Sequence, residues 1–469
     1  MAVSLAICRP GYIDGPRSPP LIARRKRIGI VGAGFSGTML AAGLSRQSPR
    51  PIDIYLLDRN KAFGTGVAYA TVIDGHLLNV PAASMSAHAE EPAHFLGWLQ
   101  EKGRQVEESA FLPRGLYGAY LREILGRSPD VSTVSADVRG LGLGDAGVTL
   151  ALSDGRSLEV DQAVLCMGNF PPVSPVDDHI DEHCIDHYVA DPWHSSRLSE
   201  VEPDDTVVLI GTSLTMVDVV LELVAKGHQG RVVAVSRRGL LPSAHQKAQP
   251  ARAPFTLEHL PNDMANLVRV LRAAADEEQS RGGDWRTIVD SLRPHTQALW
   301  KRLPTAERSR FMRHVRPYWD IHRHRLAPQV AEQLTELQRA GRLEVVAGRV
   351  HDITAHAGGV RVSIARRRSA AREIVDGGWV VNCSGPALDY NRIDDPLLVS
   401  LFAGGHVRPG PLCLGLDVDD DYRVIDRAGA ASARLFAIGP VIRGVLWETT
   451  AVPDIRRQCI ALAKTLAAA

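Results

Sequence analysis

The segment Arg27–Gly37 constrains most strongly what this chain can fold into. Its apolar run Ile28–Val31 is followed by Gly32, Gly34 and Gly37, and then by an apolar stretch compatible with a helix. This is the strand–turn–helix layout of a dinucleotide-binding fingerprint. The first glycine permits a tight turn, the second lets the backbone approach a pyrophosphate, and the third lets the helix pack closely on the strand. The segment therefore predicts a nucleotide site with its phosphates at a helix N-terminus.

A carboxylate follows the next predicted strand. The apolar run Ile52–Leu57 ends at Asp58, 26 residues after Gly32, against the usual ~20. The proline-containing stretch before this run accounts for the longer connection. An acid in this position accepts hydrogen bonds from ribose hydroxyls. We therefore expect Asp58 and the adjacent Arg59 to lie in the first nucleotide site.

A second, weaker fingerprint follows the predicted strand Val207–Ile210. Its turn keeps only the first glycine, Gly211, and small polar residues stand where the others would be. The next strand ends in Arg237 and Arg238, where the first unit has Asp58. Two guanidinium groups there match a 2′-phosphate in bidentate geometry. The first unit thus suits FAD or NAD and the second suits NADPH, unless both arginines are ordinary surface charges.

An internal repeat indicates the domain organisation. The predicted strands of Ala136–Asn169 are paralleled by Ala347–Pro386, with Cys166 and Cys383 at matching places. The fold class predicted is α/β, with two Rossmann-like dinucleotide-binding domains, the second inserted in the first. The predicted boundaries are a disordered arm at 1–23, an FAD-binding domain at 24–200 and 386–469, and an NAD(P)H-binding domain at 201–385 with a helical insertion at about 251–340.

Composition excludes several classes of protein. The chain has 469 residues, enough for two or three domains, and 45% of them are hydrophobic. A net charge of +1 provides no global attraction for nucleic acid or a membrane surface. The six cysteines form no Cys-x-x-Cys motif, which argues against a dithiol pair or a zinc knuckle. The scattered cysteines suggest a reducing compartment, and we expect a cytoplasmic location. No apolar run reaches ~18 residues, so we expect no membrane span.

The helical insertion contains a basic run, His314–Arg325. The ordinary interpretation of such a run is a salt-bridged helix face. The functional alternatives are a pocket for an anionic substrate or for NADPH, and, less in keeping with the composition, nucleic-acid binding. The histidines of this run lack the carboxylate arrangement of a metal site, and we predict no metal.

The order of these motifs resembles a family of FAD/NAD(P)-binding flavoproteins. That family includes FAD-dependent urate hydroxylase and the aspartate N-monooxygenase that forms nitrosuccinate, and residues 85–99 are more loosely similar to ornithine N-hydroxylases. The resemblance covers about residues 25–465. It is carried by Gly32–Gly37, Gly64–Tyr69, His76–Pro81, Met85–Ser86, Gly211–Asp218, Ser236–Leu241 with Pro242 and His245, and Gly439–Arg456.

The resemblance implies the cofactor-binding residues. The implied FAD-binding residues are Gly32, Gly34, Phe35, Ser36, Gly37, Asp58, Arg59 and Gly439, with Asn79 and Met85 near the flavin. The implied NADPH-binding residues are Gly211, Ser213, Leu214, Arg237 and Arg238. The chain departs from the wider flavoprotein pattern at Gly439–Pro440, where a Gly-Asp pair is usual. The departure puts the aspartate contact near the ribityl phosphate in doubt.

The function expected is that of a flavin monooxygenase. NADPH would reduce FAD, and a flavin hydroperoxide would deliver oxygen from O₂ to a small polar substrate, with a urate-type substrate expected first. Trp447, Glu448 and His88 are the candidates for the substrate side. The alternatives are N-hydroxylation of an amino acid, a reductase or dehydrogenase without oxygen transfer, and a non-catalytic nucleotide-binding or redox-sensing protein. The oligomeric state is not predicted.

Overall fold

The computed structural model describes residues 24–174, 176, 180–246, 255–369 and 371–468. The predicted disordered arm at 1–23 lies outside the described residues, which begin at Arg24. Two large sheets with mainly parallel cores form the framework, and a smaller antiparallel sheet accompanies the first.

The first large sheet has six strands in the spatial order β15-β16-β7-β1-β2-β3. Its strands β1, β2, β3, β7 and β16 run parallel to their neighbours, and β15 is antiparallel at the edge. The order places β1 between β2 and β7, which is the point where such sheets bind ligands beyond their carboxyl ends. The strands are β1 (Lys26–Val31), β2 (Ile52–Asp58), β3 (Val131–Ser135), β7 (Gln162–Leu165), β15 (Arg423–Ile425) and β16 (Ala431–Ala437).

Helices cover one face of this sheet and the small antiparallel sheet packs against the other, because the central strands β1 and β7 are buried on both sides. The central helix α1 packs against the C-terminal helix α13, and the apolar residues of both lie in one buried cluster with those of β1 and β2. The helices are α1 (Phe35–Gln47), α2 (Gly66–Tyr69), α3 (His94–Glu101), α4 (Arg114–Gly126), α12 (Pro396–Ala403) and α13 (Val452–Ala468).

The small antiparallel sheet has three strands in the order β4-β5-β6. A hairpin turn at Gly155, with φ of +84°, joins β5 to β6, as the Asp154–Gly155 pair predicts. The strands are β4 (Val138–Leu143), β5 (Val148–Leu152) and β6 (Ser157–Val160).

The second large sheet has seven strands in the order β13-β12-β11-β10-β9-β14-β8. Strands β11, β10, β9, β14 and β8 are parallel, whereas β12 and β13 extend the sheet as an antiparallel hairpin. The strands are β8 (Tyr188–Val189), β9 (Val207–Ile210), β10 (Val232–Ser236), β11 (Leu343–His356), β12 (Gly359–Arg366), β13 (Arg372–Gly377) and β14 (Trp379–Asn382).

The chain builds the first large sheet before residue 165 and after residue 423, and the second between residues 188 and 382. The prediction of an α/β fold with one dinucleotide-binding unit inserted in the other is therefore confirmed. The domain boundaries stay a prediction. Strand β8 lies before residue 201, the predicted start of the second domain, but it pairs with β14 and is therefore a strand of the second sheet.

The inserted helices follow β10 and return the chain to β11. Apolar residues of the insertion, among them Leu267, Trp300 and Phe311, form a cluster with Trp447 and Leu414, whereas those of its last helix pack with the second sheet. Helix α5 (Leu214–Ala225) joins β9 to β10 and precedes the insertion. The inserted helices are α6 (Met264–Ser280), α7 (Trp285–Ser291), α8 (Thr296–Arg302), α9 (Thr305–Arg310), a π-helical turn (Phe311–Val315), α10 (Arg316–Arg323) and α11 (Pro328–Arg339).

Two buried contacts reach α5, one from helix α4 and one from the loop that contains His76. Arg114 Nη1 of α4 donates to Asp218 Oδ2 at 2.7 Å, and only 15% and 6% of these side chains are exposed. His76 Nε2 lies 2.8 Å from the carbonyl oxygen of Asp218. Among the described residues, no helix is long and apolar enough to cross a bilayer, and no group of three potential ligands could hold a metal ion.

Candidate functional site

The first glycine turn joins β1 to α1 at the carboxyl end of the first sheet. Gly32 has φ of +102°, and a Cβ there would collide with the carbonyl oxygen of Cys166. A Cβ on Gly37 would collide with the carbonyl oxygen of Gly32. Helix α1 begins at Phe35 without a side-chain cap and without an acid in its first turn. Its first N–H groups therefore remain open to an anion.

Asp58 lies beside this turn, as its place at the end of β2 predicts. Its Oδ2 accepts the Ala33 N–H at 3.1 Å, and its Oδ1 accepts the Asn60 N–H at 2.8 Å. The carboxylate is thus fixed at the crevice next to the glycine turn. Arg59 points to other acids, because it pairs with Asp395 at 2.7 Å and with Asp137 at 3.2 Å.

The glycine-rich loop Gly64–Tyr69 packs against the first glycine turn. Gly64 donates its N–H to the carbonyl oxygen of Ala33 at 3.0 Å. Gly66 has φ of +53°, and a Cβ there would lie 2.9 Å from Cα of Gly34. Glycine is required at Gly66, because its backbone passes too close to Gly34 for a side chain and has a positive φ, whereas a Cβ on Gly34 would make only an ordinary contact of 3.7 Å with Cα of Gly66.

Gly439 brings the end of β16 to the same place. It has φ of +81°, and a Cβ there would lie 2.5 Å from Oγ of Ser36. Its N–H donates to Gln458 Oε1 at 2.9 Å, and its carbonyl oxygen accepts from Thr449 Oγ1 at 2.9 Å. Gly439 and Ser36 therefore lie together at the start of α1.

Asn79 and Met85 occupy different environments. The carbonyl oxygen of Asn79 accepts from Nε2 of His245 at 3.0 Å, which joins this segment to the one after β10. Burial, followed by the charge of Arg325, lowers the pKa of His245 to about 4. Met85 is buried in the apolar cluster of the first sheet's helices. The structure thus places Asn79 at a junction between the two units and Met85 in the core.

The second glycine turn repeats the geometry of the first. Gly211 has φ of +124°, and a Cβ there would collide with the carbonyl oxygen of Cys383, just as Gly32 faces Cys166. Helix α5 begins at Leu214 with Ser213 as its N-cap residue, and the Ser213 side chain forms no cap hydrogen bond. The matching cysteines of the sequence repeat are therefore equivalent in space.

Arg237 and Arg238 follow β10 at the carboxyl end of the second sheet. The guanidinium carbon of Arg238 lies 5.5 Å from the ring centre of Tyr318 in α10. The pKa of Arg237 is lowered by burial first, and then by the positive charges of Arg238, Arg349 and Arg316. Within the described ranges no carboxylate pairs with Arg237, Arg238 or Arg349, which leaves this edge of the sheet strongly basic.

Glu448 is buried between α10 and the C-terminal segment. Its Oε1 accepts from Trp319 Nε1 at 2.6 Å, and its Oε2 accepts from Arg323 Nε at 2.9 Å. Glu448 has φ of +64°, a left-handed conformation that is uncommon for a residue with a side chain. Strain of this kind persists where surrounding contacts enforce it, often at functional sites.

Trp447 packs under the insertion, with its ring centre 4.9 Å from that of Trp300. The buried Nε1 of Trp447 and the buried Nη2 of Arg323 have no hydrogen-bond partner in the described part of the chain. Beside Glu448, Trp447 Nε1 and Arg323 Nη2 are thus N–H donors without a partner among the described residues.

His88 lies apart from these residues. Its ring centre is 4.5 Å from that of His94, and burial together with the charge of His94 lowers its pKa to about 4. It lines a small groove with Arg46, in the last turn of α1. Arg46 is eleven residues after Phe35, about 16 Å along the helix at 1.5 Å per residue, but the groove also includes Met39, which is four residues after Phe35.

Arg316 and Arg323 were predicted only as members of the basic run His314–Arg325, and no local pattern pointed to Arg349. Arg349 is two residues past the end of the β10 pairing on β11, and the two others are on α10. The basic run of the insertion was the one signal for α10. Its packing against the sheet edge and against Glu448 depends on contacts between distant parts of the chain, which a local pattern does not encode.

Comparison with known proteins agrees with this geometry. Residues 29–170 match a family model described as FAD-NAD(P)-binding. This segment contains the first glycine turn and Asp58, and the match supports the predicted FAD and NAD(P) cofactors. None of the curated protein sequences compared with the chain matches it significantly.

Solved structures with the same fold include amino-acid hydroxylases. Ornithine hydroxylase from Pseudomonas aeruginosa superposes with a TM-score of 0.65 at 16% identity, covering 95% of this chain and 99% of that one. Ornithine N-hydroxylase from Kutzneria sp. 744, with reduced FAD, NADP⁺ and L-ornithine, gives 0.64 at 15% identity, with coverage of 94% and 99%. L-lysine 6-monooxygenase from Pseudomonas syringae gives 0.62 at 17% identity, with the same coverage. At these identities the likeness establishes the fold.

Proposed function

We propose that this protein is an FAD-dependent, NADPH-using monooxygenase that hydroxylates the amino group of a small polar substrate. The observation that carries the proposal is the pair of equivalent glycine turns, at Gly32 and Gly211, at the carboxyl ends of two sheets in one chain. The first turn has Asp58 beside it, whereas the second has a basic edge. A chain with this pair is suited to hold two different nucleotides at once.

The residues present fit both cofactors. At the first turn, Gly32 lets the backbone pass close to the carbonyl oxygen of Cys166, and the N-terminus of α1 begins there without a side-chain cap, so its N–H groups can bind a phosphate. Asp58 supplies an acceptor for ribose hydroxyls. At the second turn, the guanidinium groups of Arg237 and Arg238, which have no carboxylate partner among the described residues, supply donors for a 2′-phosphate.

Bound FAD would supply the redox chemistry, by accepting hydride from NADPH and activating dioxygen. The chain's own residues bind and orient the two nucleotides and keep water out of the space between them. Gly439, where the chain departs from the usual Gly-Asp pair, has its backbone fixed beside the first turn by Gln458 and Thr449.

The substrate class is proposed from the fold shared with ornithine and lysine hydroxylases. A urate-type substrate, which the sequence resemblance placed first, has no support among the comparisons and becomes the second candidate. Trp447 and Glu448 remain the proposed substrate-side residues. His88 also stays a proposal for the substrate side; it lines a groove along α1 with Met39 and Arg46.

The test is a substrate screen that follows NADPH consumption, oxygen uptake and peroxide release together. Ornithine, lysine, aspartate and urate are the first substrates, and hydroxylamine formation is measured in the same samples. We expect one amino compound to accelerate NADPH oxidation and to yield hydroxylamine in step with oxygen uptake.

The other outcomes separate the alternatives. Acceleration by urate without hydroxylamine would favour the urate-type activity. Peroxide release equal to NADPH oxidation with every substrate would favour a reductase or dehydrogenase without oxygen transfer. A purified protein that takes up no FAD would favour a non-catalytic role and contradict the proposal.

A further inference from the structure

The basic edge of the second sheet extends beyond the two arginines at the end of β10. Strands β10 and β11 are parallel, with Ser236 opposite Ala347. Arg349 lies two residues past Ala347, just as Arg238 lies two residues past Ser236. The parallel register therefore brings Arg349 to the same edge as the predicted phosphate-binding pair.

The inserted helix α10 contributes a fourth arginine to this edge. Tyr318 lies under the guanidinium group of Arg238, which holds α10 against the end of β10. Arg316 is two residues before Tyr318 and pairs with Asp320 at 3.2 Å. Arg316 and Arg349 are both near enough to act on the charge of Arg237.

This cluster of four arginines has little compensating charge. Asp320 pairs with Arg316, whereas Arg237, Arg238 and Arg349 have no carboxylate partner among the residues that the structure describes. Clustered like charges repel one another and raise the local potential, so they favour a bound anion with several acceptor oxygens. A phosphate monoester offers such oxygens, and guanidinium groups bind it in bidentate geometry.

We propose that Arg349 of β11 and Arg316 of α10 bind the 2′-phosphate of NADPH together with Arg237 and Arg238. The helical insertion then forms one wall of the nicotinamide cofactor's phosphate site. The inference rests on the proposed use of NADPH, and it makes the insertion a determinant of the preference for NADPH over NADH.

The test is isothermal titration calorimetry of the full-length, FAD-loaded protein with adenosine 2′,5′-bisphosphate and with 5′-AMP. These probes differ by the 2′-phosphate, so their comparison isolates its contribution. Arg349→Gln and Arg316→Gln are each expected to weaken bisphosphate binding ~10-fold or more and to leave AMP binding unchanged. Arg231→Gln is the matched control, because Arg231 precedes β10 at the opposite end of the strand and pairs with Glu344.

Arg349→Lys is measured as well, since it keeps the charge without the bidentate geometry and should give an intermediate affinity. FAD content and thermal unfolding verify that each variant is folded. Wild-type affinity in both glutamine variants, together with a loss in Arg237→Gln, would overturn the inference and leave the proposed function standing. Equal binding of the two probes by the unchanged protein would overturn the phosphate site altogether, whereas oxygen uptake tests the monooxygenase proposal separately.

Discussion

Gly32 and Gly211 are the residues on which the two proposed nucleotide sites depend. Both have positive φ, and both face the carbonyl oxygen of a cysteine on a neighbouring strand or its extension. The sequence pattern was sufficient to find them because a glycine fingerprint is local. That the two turns are equivalent in space is visible only in the folded sheets, because Cys166 and Cys383 are more than a hundred residues along the chain from the glycines that face them.

Replacing either glycine by alanine should impair one site selectively. Gly32→Ala is expected to lower FAD content, and Gly211→Ala to weaken NADPH binding while FAD is retained, because each Cβ meets backbone that has no room to move. Gly97→Ala, in the middle of α3 with nothing within 4 Å, is the control and should stabilise by about 0.5–1 kcal/mol. FAD loss in the Gly97 variant, or full FAD content in the Gly32 variant, would contradict the site assignment.

Arg237→Ala should raise the Michaelis constant for NADPH far more than that for NADH. The loss of charge-assisted hydrogen bonds to a phosphate is worth about 1.5–3 kcal/mol. Steady-state kinetics with both nucleotides measures the difference. Equal effects on the two nucleotides would show that Arg237 does not contact the 2′-phosphate.

His245 should make the protein sensitive to acid. Its folded-state pKa of about 4 is below the ordinary value of 6.5, so the unfolded chain binds more protons between these values. Stability therefore rises with pH across this window and is lost as the pH falls through it. The free energy of unfolding should fall between pH 7.5 and pH 5 in both proteins. We expect the fall to be about 1–2 kcal/mol smaller in His245→Gln than in the unchanged protein.

Denaturant unfolding at the two pH values measures this difference. His183→Gln is the control, because its side chain is 75% exposed. A pH dependence that is identical in the His245 variant and the unchanged protein would contradict the assignment of a buried, neutral imidazole.

At the scale of elements, α10 connects two regions of the molecule. Its first turn carries Arg316 toward the basic edge of the second sheet, and its last turn carries Arg323 to Glu448. A π-helical turn precedes it, a feature found often at functional sites. The basic run in the sequence predicted a charged helix here, but the same run allowed a surface role.

Removing Arg323 should destabilise the contact between α10 and the C-terminal segment. Arg323 and Glu448 are 10% and 5% exposed, so Arg323→Gln leaves a buried carboxylate without its charged partner. Losing one member of such a pair costs about 3–5 kcal/mol. Arg361→Gln removes an exposed pair with Asp376 and should cost less than about 1 kcal/mol. Similar unfolding free energies for the two variants would contradict the burial of the Glu448 pair.

At the scale of the whole molecule, one sheet interrupts the other in sequence, and buried contacts join them. Arg114 and His76, from the first unit, both contact Asp218 of α5. The two glycine turns, Asp58 at the end of β2, and Arg237 and Arg238 at the end of β10 were predictable, because each is a short pattern beside an apolar run. Strand β8, the place of Arg349 and the burial of Glu448 were not, because each depends on residues more than a hundred positions away or on pairing across the sheet.

The most direct test of the central claim is anaerobic mixing of the FAD-loaded protein with NADPH or with NADH, followed by flavin absorbance. The claim is that one chain holds FAD at the Gly32 turn and NADPH at the Gly211 turn. The account predicts that NADPH bleaches the flavin at lower concentration than NADH, and that Gly211→Ala removes this preference or the reduction itself. A protein that binds no FAD, or whose flavin neither nucleotide reduces, would contradict it.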